Sequence, residues 1–196
     1  MQLFARMKSL LIVLIIGFAG IHSLPAAAQQ ADLRMRGTIE KIDGKSLVLR
    51  GKTETVALDS GTAVFVTQPS SLSAIKPGDF VASAAIKEAD GKLHSKDLRI
   101  FPEALRGLGE GQRPMETPDK IMTNASVSEV VAAPEGQVVK VKYQNGTAEL
   151  IVGPEVPVTA LVVSDVSALK PGTNVFILAG KAADGTVIAK RIMAIN

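Results

Sequence analysis

Arg106, Glu110 and Arg113 stand four and three residues apart in the stretch Arg-Gly-Leu-Gly-Glu-Gly-Gln-Arg-Pro. Two guanidiniums and a carboxylate at that spacing can hold a charged or polar group, and the glycines let the backbone shape itself around one. They lie within residues 102–123, a Gly/Pro-rich stretch that begins at Pro102 and carries further prolines at 114 and 118. A loop of roughly twenty residues in a compact protein is either functional or a plain linker. One expectation is a linker bearing surface charges. The sharper one is a loop packed across a groove between flanking domains, with Arg106, Glu110 and Arg113 binding a ligand or partner.

Other chemistry finds little to work with. The chain has no cysteine, and His94 is the only histidine beyond residue 28. No nucleophile–base arrangement is indicated, so no catalytic residue is assigned and His94 reads as an exposed strand residue. A zinc site needs three or four ligands, which one His and no Cys do not supply. No Asp-x-Asp-x-Asp-Gly calcium loop occurs. Gly107–Gly111 lacks the Lys-Ser/Thr of a phosphate loop, and Pro114 and Pro118 prevent the helix that would follow it. Met115 and Met122 read as linker residues rather than copper ligands. No metal or cofactor is therefore expected. Asn124-Ala-Ser126 and Asn145-Gly-Thr147 read as turn chemistry. Single-strand nucleic-acid binding needs a basic groove with exposed aromatics. Most of Phe65, Phe80, Phe101, Tyr143 and Phe176 fall in apolar strands, so nucleic acid is not an expected partner.

Residues 1–28 read as a secretory signal peptide. Arg6 and Lys8 form a positive start, Leu10–Ile21 an apolar run, and Ala26-Ala27-Ala28 a cleavage site after Ala28. A membrane anchor would need about 20 apolar residues, and this run stops short at His22-Ser23. Loss of Arg6 and Lys8 takes the formal charge from +3 to +1, and 28 of 196 residues leave a mature chain of 168. The expected location is periplasmic or secreted, with no membrane span after cleavage. Without disulfides, the core must be stabilised by apolar burial alone.

What would position the loop is a repeat. Ser70–Ile100 falls on Ser164–Ala194 at an offset of 94 without a gap, with 13 of 31 positions identical. These include Lys-Pro-Gly at 76–78 and 170–172 and Ala-Asp-Gly at 89–91 and 183–185. Nearer the repeat starts the offset is 88, from Ile39 to Val127, so the extra residues fall in the first turns, where insertion is cheap. Each copy reads as three short strands, one helical turn capped by Ser70 or Ser164, and two more strands, with Asp-Gly and Asn-Gly hairpin turns. That order predicts an all-β fold of two tandem small OB-like Greek-key barrels over 36–101 and 124–196, joined by the linker 102–123. A small sandwich in each half is the alternative. The expected core is Ile39, Leu47, Leu49, Val56, Leu58, Ile75, Val81 and Leu98, matched by Val127, Val139, Val141, Leu150, Val152, Leu169, Val175 and Ile192.

The pattern Gly-x-Ile-x-x-Ile, then Leu/Ile-Lys-Pro-Gly before an apolar strand and an Asp-Gly hairpin, resembles a family of exported bacterial OB-like β-barrel domains of unknown function. Both repeats are similar to it. Residues 106–114 followed by Met122-Thr123-Asn124 resemble the joint of its two-domain members, which often carry His-Arg-Pro-Trp. Gln112 and Met115 stand at the His and Trp positions, so the resemblance brings neither a metal ligand nor an aromatic ring to this joint. It implies a fold and is silent on activity.

Together these readings point to an exported, non-enzymatic binding or adaptor module of the cell envelope, with another envelope protein as its partner. The alternative is a small-ligand or cation-binding protein using the cleft between the barrels.

Overall fold

The computed structural model describes residues 32–134 and 136–195. The expected signal peptide lies outside them. The fold is all-β. Its helices, among the described residues, are single 3₁₀ turns, and none is long and apolar enough to cross a membrane.

The first repeat supplies β1 (Leu33–Ile42), β2 (Ser46–Leu49), β3 (Thr55–Ala57), β4 (Ala63–Pro69), β5 (Phe80–Lys87), β6 (Leu93–Ser95) and β7 (Leu98–Phe101). β8 (Gly111–Pro114) lies in the expected linker. The second supplies β9 (Lys120–Ala133), β10 (Gly136–Tyr143), β11 (Gly146–Val152), β12 (Val158–Ser164), β13 (Asn174–Lys181) and β14 (Val187–Ile195). Hairpin turns form where Asp-Gly predicts them. Asp43 accepts from the Lys45 and Ser46 amides at 2.9 and 2.7 Å, and Gly44 takes the positive φ of 84° that suits it. Those bonds to the charged form hold the Asp43 carboxyl below its ordinary value. Asp90 and Asp184 accept likewise from Lys92 and Thr186, each at 2.9 Å.

The pairings run across the repeats rather than within them. β1 pairs with β13, β3 with β14, and β13 with β14, so β1–β2–β3–β14–β13 is a closed ring of pairings. The mirror ring is β9–β10–β11–β6–β5, closed by β5 with β9. Each ring thus takes its first three strands from one repeat and its last strands from the other. The apolar clusters follow suit. Ile39, Leu47 and Val56 pack with Val175, Ile177 and Ile192, while Val127, Val139 and Leu150 pack with Ile75, Val81 and Leu98. The expectation that 36–101 and 124–196 each close on themselves is corrected by these pairings. The reason is physical: equivalent strands carry the same pattern, so patterning alone does not say which copy completes which ring.

β4 and β12 make the crossover. They pair antiparallel, with Thr67 opposite Leu161. These two are equivalent positions, 94 apart, so a pseudo-two-fold axis passes between them. Every cross-repeat pairing obeys it: Leu33 opposite Ala179 is matched by Ile121 opposite Ala85. Even the bulges correspond. β1–β2 shifts register at Glu40 and β9–β10 at Ser128; β13–β14 shifts at Lys190, where its counterpart breaks between β6 and β7 at Lys96-Asp97. Bulges bend a strand, which a sheet that returns on itself requires.

Smaller departures have local causes. The 3₁₀ turns span Leu72–Ala74 and Val166–Ala168, with Ser71 and Asp165 rather than Ser70 and Ser164 at their N-caps. Asp165 wins because its carboxylate accepts from the Ser167 amide at 2.7 Å. Leu58 is only half-buried, packed at the margin of its cluster. Phe80–Lys87, which reads as buried on both faces, has residues that are half-buried on alternate positions. Residues 102–123 are not a bare linker: β8 pairs with β9, Gly111 opposite Asn124 and Pro114 opposite Ile121.

Candidate functional site

The structure separates the three loop residues. Arg106 is spent on structure. Its Nε donates to Glu103 at 2.7 and 2.8 Å and its Nη2 to the Gly78 carbonyl at 2.9 Å, clasping the loop to the Lys-Pro-Gly turn. The ion pair raises the Arg106 guanidinium and lowers Glu103 from their ordinary values. Glu110 is exposed and makes no ion pair among the described residues. Arg113 is different. Its Nη1 donates to the Gly109 carbonyl at 2.9 Å, which turns its side chain back over the loop.

There it joins three other arginines around one cavity of about 140 Å³. Arg34 and Arg36 alternate with Met35 and Gly37 on β1, so both project on one side of the strand. Arg99 comes from β7. The apolar lining includes Phe101, Leu108, Leu161, Phe176 and Met193, which are also members of the central apolar cluster. Arg36 stacks on Phe176, its Cζ 5.3 Å from the ring centroid. A stacked guanidinium keeps its in-plane N–H groups free for an anion. Arg99 Nε reaches Thr159 Oγ1 at a long 3.4 Å. Among the described residues none of these four arginines is in an ion pair. The Arg113 guanidinium is pushed down from its ordinary value, by burial first and then by the charges of Arg34 and Arg36.

Four guanidiniums without carboxylates in the lining make the cavity electropositive, which attracts an anion and repels a cation. Carboxylate and phosphate suit guanidinium forks, which bind them bidentately. The lining holds no His, Ser, Cys, Asp or Glu, so its side chains offer no ordinary proton-transfer pair. Asn124 also lines it, from β9. Asn124 is a buried strand residue rather than the turn residue its sequence triplet suggests, whereas Asn145 does sit in the β10–β11 turn. A larger groove of about 400 Å³ lies beside His94. Most of the charge there is already paired: Lys96 pairs with Glu88 at 3.2 Å, and His94 Nε2 lies 2.9 Å from Asp90 Oδ2, while Glu155, also in the lining, is in no ion pair among the described residues. The bond to His94 holds the Asp90 carboxyl below its ordinary value. No group of three or more His, Cys, Asp or Glu suited to a metal occurs among the described residues.

The cavity sits at the pseudo-two-fold axis, because Leu161 lines it and the axis passes beside Leu161. Its lining comes in equivalent pairs: Arg34 with Met122, Arg36 with Asn124, Ala82 with Phe176, Arg99 with Met193, and Phe101 with Ile195. At three of the five pairs, one copy is cationic and the other neutral. Arg34, Arg36, Arg99 and Asn124 escape sequence reasoning that looks for a contiguous motif. Aligning the copies and asking where charge differs would have drawn attention to them.

No known protein family, curated protein or solved structure matches the chain.

Of the four, Arg34, Arg36 and Arg113 repel one another directly, which costs stability when no anion is bound. Replacing one by a neutral side chain, Arg34→Gln, is expected to raise the thermal midpoint at low ionic strength by roughly 1 °C. The gain should vanish by about 0.5 M salt, as screening removes the repulsion. Differential scanning calorimetry in a non-coordinating buffer tests this; a lower midpoint at low salt would contradict the repulsion.

Proposed function

We propose that the mature chain is an exported binding module that takes a small anion in the cavity ringed by Arg34, Arg36, Arg99 and Arg113. In this reading each closed ring of five strands is an OB-like barrel, and the cavity is the cleft where the two meet. One observation carries it: four guanidiniums converge on an apolar floor with no carboxylate in the lining. That arrangement favours the small-ligand alternative from the sequence and gives the ligand's sign, an anion rather than a cation. The apolar floor favours an anion with a short apolar body. An adaptor that docks on another envelope protein ranks second.

Export rests on Arg6, Lys8, the apolar run Leu10–Ile21 and Ala26–Ala28. N-terminal sequencing of the protein from fractionated cells should read Gln29 in the envelope or medium; Met1 in the cytoplasm would sink that part.

The binding part is tested by thermal shift with butanoate and inorganic phosphate against magnesium and calcium. At 100 times Kd, a bound anion stabilises by about 2.7 kcal/mol, or roughly 5–10 °C for a chain of this size. Arg36→Gln with Arg99→Gln should abolish the response without lowering the unliganded midpoint. Stabilisation by the cations and not the anions would contradict the proposal.

A further inference from the structure

The two-fold relation between the repeats leaves one strand edge unmatched. Over Ile121–Asn124, β9 is paired on both sides, with β5 on one and β8 on the other. The equivalent stretch of β1 is Leu33–Arg36, which pairs with β13 alone among the described residues. The residues that stand 88 before β8 are 23–26, Ser-Leu-Pro-Ala, and they lie inside the expected signal peptide. On the export reading, the mature chain therefore brings no counterpart of β8 to β1.

The direction of the backbone makes that edge usable. Ile39 bonds to the turn before β13, whereas the Thr38 carbonyl accepts from the Arg50 amide at 2.8 Å on the opposite side. Alternate residues of a strand turn their backbone groups to opposite neighbours. Leu33, Met35 and Gly37 therefore face β13, and Arg34 and Arg36 face away from it. β9 behaves the same way. The Lys120 carbonyl accepts from the Met115 amide at 2.8 Å, so Met122 and Asn124, the counterparts of Arg34 and Arg36, face β8. The N–H and C=O of both arginines thus point along an open edge, and both residues are exposed. No described residue bonds to these backbone groups.

We infer that this edge takes a short peptide in extended form, antiparallel to β1 as β8 is to β9, with acidic side chains two residues apart. The β8 pairing supplies the register, since Gly111 lies opposite Asn124 and Arg113 opposite Met122. The peptide's first residue then lies opposite Arg36 and its third opposite Arg34. Side chains directly opposite one another share a face, so both carboxylates enter beside the guanidiniums of the cavity. An added strand draws affinity from main-chain bonds and specificity from alternate side chains. A second copy of the chain fits poorly, because antiparallel pairing sets its arginines against Arg34 and Arg36. The edge is also short. It ends where Arg50 takes Thr38, which suits a peptide of about the four-residue length of β8. This rests on the anion-binding reading above and names the ligand within it: the anion is a side-chain carboxylate on its short methylene body.

The test is isothermal titration of the full mature wild-type chain with acetyl-Glu-Val-Glu-Val-amide, its Gln-Val-Gln-Val relative, and two versions of the glutamate peptide, N-methylated at the second or the third residue. In this register the third residue bonds to Arg34 and the second faces away. Methylation at the third should weaken binding roughly tenfold, and at the second less than about twofold. The glutamine peptide should bind roughly tenfold more weakly than the glutamate one. Hydrogen exchange should slow at the Arg34 and Arg36 amides when the glutamate peptide binds, and change little at Leu33 and Met35, which β13 already holds. Equal weakening by the two methylations, equal binding of the glutamate and glutamine peptides, or unchanged exchange at Arg34 and Arg36 overturns the inference. A peptide-free dimer in which the Arg34 amide is already slow gives the edge to a second copy and also overturns it. Butanoate separates the two readings: if it binds and the glutamate peptide does not, the inference falls and the anion reading stands, and if neither binds, both fall.

Discussion

Ile39 donates its amide to the Thr173 carbonyl and accepts from the Gly172 amide, both at 2.8 Å. Val127 does the same with Asp79 and Gly78, at 2.7 and 2.8 Å. These four bonds join the Lys-Pro-Gly turn of each repeat to the first strand of the other. The turn is well made for it. Proline fixes one dihedral, and Gly78 and Gly172 take φ of 93° and 91°, which few other residues hold without strain. In the first turn, Lys76 N also donates to Asp79 Oδ2 at 2.8 Å. Each turn launches the next apolar strand, β5 or β13, alongside the other repeat's first strand. From that one constraint follow the two mixed rings, the two mixed cores and the axis between Thr67 and Leu161.

The sequence revealed the parts more readily than their assembly. The Asp-Gly turns, the position of the 3₁₀ turns and nearly all the expected core residues are legible because they depend on local chemistry and on period-two burial. Val139, Val141, Leu150 and Val152 alternate on their strands and are all buried. The exchange of strands was not legible, because Ile39 and Val127 occupy the same environment and either copy's partner strand would fit. β8 was missed because Gly-Gln-Arg-Pro has no apolar alternation; it is an edge strand, largely exposed and held by β9 alone. Of the cavity's charged residues only Arg113 was named in advance. Arg34 and Arg36 sit on β1 and Arg99 on β7, more than sixty residues further along the chain, so no contiguous motif marks them.

That dependence gives the site its character. A two-fold axis through a pair of equal copies would line a cavity symmetrically. Here one copy carries Arg34, Arg36 and Arg99, while the other carries Met122, Asn124 and Met193. Divergence at these positions leaves the scaffold intact, since they lie outside the apolar contacts that fill the two rings. Met193 is the partial exception, buried in the central cluster with Phe65 and Leu161. The second copy is thus free to hold structure while the first concentrates charge. Unpaired like charges on an apolar floor are tolerable because the rings on either side are well packed.

Native-state hydrogen exchange tests the strand exchange most directly, because it groups amides by the unit that opens together. The pairings predict that the amides of Ile39, Leu49 and Val56 share one opening free energy with those of Ile177 and Ile192. The amides of Val139 and Leu150 should group with Val81. If instead Ile39, Leu49 and Val56 open together with Val81, separately from Ile177 and Ile192, each repeat closes on itself, and the account of both the fold and its cavity is wrong.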